Sequence, residues 1–446
     1  VTSSSNKAGG LQSGNKLLIS NLNVTNRSLP VRCANWRLQI GGVSLLLICL
    51  SAVLTGCGPA LSPNVAAQPL TQHLYIWQRV WRPAHAEAIA QSRADFQALR
   101  LLSLQYHLSS TGPVWTTARP DWQLLATDQR PVTLVLRLDG QLRQLPTAAA
   151  LWQQLTPQIA AAQQAGVKLQ AIEIDYDAAR SALAPYRDWL LQLRPLLPTQ
   201  LSLQITALPD WLQSADYPAL CQAADQLTLQ LHSVLSPSQG LFDSSKAKQW
   251  TQNAAAHTPC PLFLALPAYH SALISTADGG RVESETPLPI AGQRQALLSR
   301  PQAVADFLSW LRRQSLPQVQ GLVWFRLPLP DDQRSWPLVT LQALVRGEAL
   351  AASLRTELTQ DQGRFDIQLQ NSGNLDATLP DTLWFHGVQC LGGDAQYGYQ
   401  WQQQGADWLL KREANHIDAS LIAPQQRLTL AWLRCQQLQS ISPPTD

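Results

Sequence analysis

Charge is what this sequence has least of. Charged residues make up only 14% of the chain, against 45% hydrophobic, and the net charge is +3. Phosphate contacts need a dense basic patch, and none is present, so nucleic acid is set aside as a partner. Methionine is absent altogether, a fact for which physical chemistry offers no account. Also missing are a Gly-rich phosphate loop, an HExxH segment, a CxxC pair and a G-x-S-x-G elbow. Those absences remove the motif grounds for dinucleotide binding, for a metal centre and for a serine nucleophile. No cofactor and no metal are therefore expected.

What the chain does have begins with one long apolar run. Residues 38–54, LQIGGVSLLLICLSAVL, carry no charge and follow Arg32 and Arg37. A basic stretch before a short apolar segment is the layout of an export signal, and the run sits at the short end of membrane-spanning length. Leu54-Thr55-Gly56-Cys57 resembles the bacterial lipobox, in which the cysteine receives diacylglycerol. Cys57 is thus the expected lipidation site. Residues 1–57 read as an over-long start, with Val31 a candidate first residue, plus a lipoprotein signal. Residues 58–72 read as a flexible tether. Lipid on Cys57 would hold the protein to a membrane surface without spanning it. Gly58 follows in place of the Asp that retains many such proteins at the inner membrane. That implies the outer membrane, on its periplasmic side rather than the cell surface.

An exported chain meets an oxidising compartment. Of seven cysteines, Cys221, Cys260, Cys390 and Cys435 lie in the body of the protein. Four cysteines allow three pairings. Cys221–Cys260 and Cys390–Cys435 are favoured, because each pair then falls within one expected domain.

From residue 73 to 348, eight β-like runs alternate with amphipathic stretches. The runs begin near residues 73, 99, 131, 169, 201, 226, 261 and 321. Between them, 147–166 has apolar residues at helical spacing and ends in Gly166; 184–198 ends at Pro195 and Pro198; 300–314 opens on Pro301 and closes on Arg312 and Arg313; 335–350 follows the eighth strand. Strand–helix alternation predicts parallel strands with crossover helices, and eight units fit an α/β fold of the (β/α)8 TIM-like barrel type. An open doubly wound sheet is the rival. Residues 349–446 instead alternate apolar and polar residues between Asn-Ser-Gly and Gly-Gly turns, which predicts a small C-terminal antiparallel β-sandwich of Ig-like kind.

In such a barrel the functional side chains stand at the carboxyl ends of the strands. In AIEIDYD, residues 171–177, Glu173, Asp175 and Asp177 alternate with Ile172, Ile174 and Tyr176, so all three acids share one face. Like charges that close raise one another's pKa, and the raised member becomes a general acid. Asp175 and Asp177, at the strand end, are the catalytic candidates. Glu173, deeper in the strand, is either a binding residue or a structural partner of an arginine. Arg79, Arg137 and Arg326 are the cations available to neutralise the set. Trp77, His107, Asp139, Thr206, His232, Tyr269 and Trp324 complete the candidate binding residues, and Gln105 lies beside them. A tryptophan face packs well on a sugar ring. The bland reading of any one tryptophan is core, and of a lone histidine a hydrogen-bonded structural group. The segment 270–293, with Glu283 and Glu285, reads as a lid or a surface insertion.

Several short motifs in order resemble a family of bacterial lipoproteins, the domain of unknown function 3142. They are YIWQRVW (75–81), IDYD (174–177) with YRDWLLQLR (186–194), ITALPDWL (205–212), LPAY (266–269) and WFRLP (324–328). The resemblance implies a barrel-like exported protein and assigns no reaction. The run Glu173-x-Asp175-x-Asp177 is also similar to the D-x-D-x-E run on strand four of chitinase-like glycoside hydrolases, with Trp324 in place of their strand-eight tryptophan. Here the last acid is Asp, one methylene shorter than Glu. Two functions follow as expectations. One is hydrolysis of a glycan or related envelope polymer by the Asp175/Asp177 pair. The other is non-catalytic binding of a glycan or peptide.

Overall fold

The computed structural model describes residues 69–441, apart from 141, 143, 233–239, 277–278, 284–290, 333 and 414–420. Residues 1–57, with the export signal and Cys57, lie outside the described residues, as do Glu285 and the side chain of Glu283. Among the described residues, no helix is long and apolar enough to cross a membrane.

Eight parallel strands close into a barrel. They are β1 (Thr71–Ile76), β2 (Ala98–Ser109), β4 (Val132–Leu138), β5 (Leu169–Tyr176), β6 (Ser202–Ala207), β7 (Gln226–Gln230), β8 (Leu262–Pro267) and β12 (Val319–Phe325). Each pairs with the next, and β12 pairs back onto β1. A further strand, β3 (Gly112–Thr117), folds back antiparallel on β2 as a hairpin. The outer layer holds α1 (Pro83–Ser92), α2 (Trp122–Asp128), α3 (Ala148–Gln164), α4 (Leu183–Leu193), α5 (Ser244–His257), α6 (Pro301–Leu311) and α7 (Leu338–Arg346). The expected (β/α)8 barrel is thus the observed fold.

The local reasons are ordinary ones. Thr147 caps α3 by accepting from the Ala150 amide at 3.1 Å, and Gly166 stops the helix at φ +85°. Leu151, Leu155, Ile159 and Ala162 recur on one face of α3 and are buried. They meet the outward residues of the strands, such as Ile172, Ile174, Leu134 and Leu136, in one continuous core. Each such side chain contributes about 1.5–3 kcal/mol on burial. Gly321 has no room for a side chain, since a Cβ there would stand 2.7 Å from the Thr71 carbonyl oxygen.

Three features depart from the simple repeat. Between β6 and β7 the chain makes 3-10 turns at Pro209–Gln213 and Pro218–Gln222 instead of an α-helix. The segment after β8, read from sequence as a loop, is a three-stranded antiparallel sheet. It is built of β9 (Ser271–Thr276), β10 (Gly279–Glu283) and β11 (Gln293–Leu297), in the order β10-β9-β11. The third departure lies within β2. Its pairing with β4 slips between Leu102 and Leu104, leaving Ser103 as a bulge. Leu99, Leu101 and Leu104 all face the outer core. The bulge thus turns the later odd-numbered residues, Gln105 and His107, to the interior.

The C-terminal part is a sandwich of two four-stranded antiparallel sheets. One has the order β13 (Leu354–Asp361), β14 (Arg364–Asn371), β21 (Arg427–Arg434), β17 (Gly392–Ala395). The other has the order β18 (Tyr399–Gln404), β19 (Asp407–Arg412), β16 (Thr382–Val388), β22 (Gln437–Ile441). A short pair, β15 (Ala377–Thr378) and β20 (Leu421–Ile422), joins them. Ile367, Leu369 and Leu433 from one sheet share a core with Phe385, Leu410 and Leu438 from the other. Both expected disulfides are formed. Cys221–Cys260 ties the β6–β7 connection to the start of β8, with Cα atoms 5.6 Å apart. Cys390–Cys435 joins the turns after β16 and β21, with Cα atoms 4.0 Å apart. Gly387 leaves space for that bridge, as a Cβ there would come within 2.5 Å of the Cys390 sulfur.

Candidate functional site

The barrel interior is filled in two levels. The lower level holds Glu173, which is fully buried. Its Oε2 pairs with the Nη1 of the equally buried Arg100, and its Oε1 accepts from the Tyr75 hydroxyl at 2.6 Å. Arg100 Nη1 also donates to Thr228 Oγ1 at 2.8 Å, and Arg100 Nε donates to His73 Nδ1 at 3.3 Å. The guanidinium carbon stands 5.2 Å from the Phe263 ring centroid, a cation–π contact. Burial pushes the Glu173 carboxyl upward, and Arg100 and Tyr75 pull it back only in part. Burial, then the Glu173 carboxylate, pushes the Tyr75 hydroxyl well up. Burial and Arg100 hold His73 well below the usual histidine range. All of these groups are buried, with Glu173, Arg100 and Thr228 completely so, and Glu173 is the structural partner of an arginine inside the barrel.

The upper level is the mouth. Register aligns Gln105, Arg137 and Asp175 across β2, β4 and β5. Two residues further on come His107, still on β2, and Asp139 and Asp177, just past the ends of β4 and β5. Arg137 holds both acids. Its Nη1 donates to Asp175 Oδ2 at 2.9 Å and its Nη2 to Asp177 Oδ2 at 2.5 Å. Asp175 is buried, and its Oδ1 accepts from Thr206 Oγ1 at 2.7 Å and Gln230 Nε2 at 3.3 Å. Burial raises the Asp175 carboxyl; Arg137 opposes this and the Asp177 charge adds to it. Burial works against the Arg137 charge, but the two carboxylates outweigh it and raise its pKa. The Asp177 side chain is 34% exposed, while its Oδ1 is buried with no partner. Gly140 lets the turn after β4 close on this residue, since a Cβ would stand 2.7 Å from the Asp177 carbonyl oxygen.

An aromatic wall faces these acids from the strands on the other side. Phe325 is its hub. The ring centroid of Trp77 lies 4.9 Å from that of Phe325, Tyr269 5.2 Å and His232 5.4 Å, the histidine nearly parallel. Burial lowers the His232 pKa to about 4, with Asp177 pulling the other way. Burial pushes the Tyr269 hydroxyl up to about 12, with Arg326 opposing.

The remaining candidates fall elsewhere. Trp324 is fully buried in the outer core, with its Nε1 donating to Gln72 Oε1 at 2.9 Å. On β12 its neighbours Val323 and Phe325 take the interior positions. Arg326, after a cis peptide, pairs with Asp332 at 2.6 Å and not with the acids. Arg79 lies past the end of β1 and is exposed. Asp139 sits between His107 and Asp177, with interactions of its own. Among the described residues no group of His, Cys, Asp and Glu is arranged to hold a metal ion.

Sequence reasoning missed Arg100, Tyr75, Thr228, Gln230 and Phe325. Arg100 did leave a signal. A lone charge inside ALRLLSL, on a strand expected to be covered on both faces, demands a buried partner. Phe325 was hidden by its neighbour, because strand alternation admits either Trp324 or Phe325 to the interior but not both.

Two families match the chain, and no curated protein does. Residues 354–436, in the sandwich, match the domain of unknown function DUF8456. Among solved structures, the Bacillus cereus spore cortex-lytic enzyme SleL is 13% identical with a TM-score of 0.43, covering 63% of this chain and 74% of that one. A Chromobacterium violaceum chitinase is 14% identical with a TM-score of 0.42, covering 62% and 98%. The xylanase and alpha-amylase inhibitor protein XAIP-II of Scadoxus multiflorus is 12% identical with a TM-score of 0.40, covering 63% and 99%. Over residues 128–330, which hold six of the eight barrel strands, the chain matches the domain of unknown function DUF3142, the family its motifs resemble.

Proposed function

We propose that the mouth of the barrel is a glycan-binding groove. The observation that carries this reading is the division of the mouth into two unlike walls. One is a ring cluster of Trp77, Phe325, Tyr269 and His232. The other is a fixed polar array of Asp175, Asp177, Arg137, Thr206 and Gln230. A sugar has the same division, with an apolar C–H face and a rim of hydroxyls. Asp175 accepts from three donors on its two oxygens, which suits it to orient a ligand and not to supply a proton.

A second reading, glycosidic hydrolysis, draws on one observation. Asp177 is part-exposed and keeps an oxygen with no partner. Asp177 would protonate the leaving oxygen, and the Asp175 carboxylate would stabilise the positive charge that develops on the sugar. The test is to titrate the protein with glycan oligomers and to analyse the mixtures for cleaved products. Binding without products supports recognition. Products that vanish in Asp177→Asn support hydrolysis. No binding to any glycan overturns both.

The lipid anchor is part of the same proposal, and it rests on Leu54–Cys57 and on Gly58. Labelled palmitate should enter the wild-type protein, which should fractionate with outer membrane. Neither should hold for Cys57→Ser. Mature Cys57→Ser in the outer-membrane fraction would sink the anchor.

A further inference from the structure

The polar wall is short of donors. Gln105 Oε1, His107 Nδ1 and Asp177 Oδ1 are each buried with no hydrogen-bond partner. Gln105 and His107 stand on β2 and Asp177 just past the end of β5, the two strands that flank β4 and Arg137. Buried acceptors left unmatched are costly, and the Gln105 and Asp177 oxygens each call for a donor from whatever fills the site; His107 Nδ1 joins them in the tautomer that carries its proton on Nε2. Charge points the same way. Asp175 and Asp177 share the single guanidinium of Arg137, so the trio retains one negative charge. Among the described residues, the groups facing it do not cancel that charge. His232 is neutral near pH 7, with its pKa lowered to about 4 by burial. Arg326 keeps a buried Nε without a partner, but Asp332 matches its charge. Asp139 adds no cation, and Arg79 is exposed beyond the strand end.

From these acceptors and this charge we infer that the groove takes a cationic amino sugar, one whose amine is free and protonated. This inference rests on the glycan reading and narrows it. An ammonium supplies three donors and a positive charge to Asp177 and the acceptors beside it. An N-acetyl group offers one donor and brings a carbonyl acceptor against acceptors. A uronic acid brings a carboxylate against the residual negative charge.

The experiment titrates the full protein, at low salt, with tetramers of glucosamine, of N-acetylglucosamine and of galacturonate. The glucosamine tetramer should bind about tenfold more tightly than the acetylated one, the factor one charge-assisted hydrogen bond contributes. Its affinity should fall as salt rises, and the galacturonate tetramer should not bind. Asp177→Asn should bring the two amino-sugar tetramers to equal affinity. Gln105→Ala should lower affinity for glucosamine tetramer while leaving Asp177 in place. If the acetylated tetramer binds as tightly as the free amine, the inference is overturned and the glycan reading stands. If none of these or any other glycan binds, both fall together.

Discussion

Tyr75 reaches across the barrel interior to donate its hydroxyl to Glu173, 2.6 Å away and 98 residues along the chain. That bond, with Arg100, makes the floor of the mouth a closed ionic core. Breaking one partner of a buried pair is more damaging than removing both. Glu173→Gln should therefore destabilise the protein by about 3–5 kcal/mol, because it strands Arg100. The double variant Glu173→Gln with Arg100→Met should recover much of the loss. Urea unfolding of the three proteins measures this. Equal stability of the single variant and wild type would remove the pair from the stabilising core.

The two mouth acids should part company. Asp175 is buried and bonded on both oxygens, so Asp175→Asn should cost about 3 kcal/mol through the weakened hold on Arg137. Asp177 is part-exposed, and Asp177→Asn should cost less than about 1 kcal/mol. Thermal melts of both variants decide the order. A larger drop for Asp177→Asn would contradict it.

Acid should loosen the aromatic wall. His232 has its pKa lowered to about 4 against an ordinary value of 6.5. Between those values the unfolded chain binds a proton that the folded chain refuses. The stability His232 provides is thus full above pH about 6.5 and is lost as pH falls toward 4. In His232→Gln the decline in melting temperature over that window should be shallower by several degrees. An unchanged acid limb would mean that His232 does not titrate there.

The sandwich should depend on its bridge. Cys390→Ala with Cys435→Ala should destabilise it by about 2–4 kcal/mol. Peptide mapping without reductant should find Cys390 and Cys435 joined, and likewise Cys221 and Cys260. Free thiols at either pair would contradict the connectivity.

The barrel was legible because the eight aliphatic runs recur at regular intervals and most are separated by amphipathic helical patterns. The alternation Glu173, Asp175, Asp177 reported its own facing correctly, since Ile172, Ile174 and Tyr176 do enter the outer core. What stayed hidden was pairing. Which arginine meets which acid depends on strand order around a closed ring, and no local pattern carries that. Arg137 was one of three arginines offered to the acids, and Arg100 was not among them. The segment 271–297 was hidden for a different reason. Its sheet is small, and its strands lack the apolar density that marks the barrel.

The bulge at Ser103 divides one strand into two independent texts. Below it the even-numbered Arg100 serves the barrel core; above it the odd-numbered Gln105 and His107 serve the mouth. Deleting Ser103 would leave the facing as it is, whereas flattening the bulge with every residue kept would restore plain alternation and rotate the upper half by one place. Tyr106, now tilted against Trp115 with centroids 4.5 Å apart, would then turn inward. A polar corner of the rim would become aromatic while Arg100 and Glu173 stayed as they are. Specificity at the mouth can thus change by a shift of reading frame in space, without a change in the residues that keep the barrel closed.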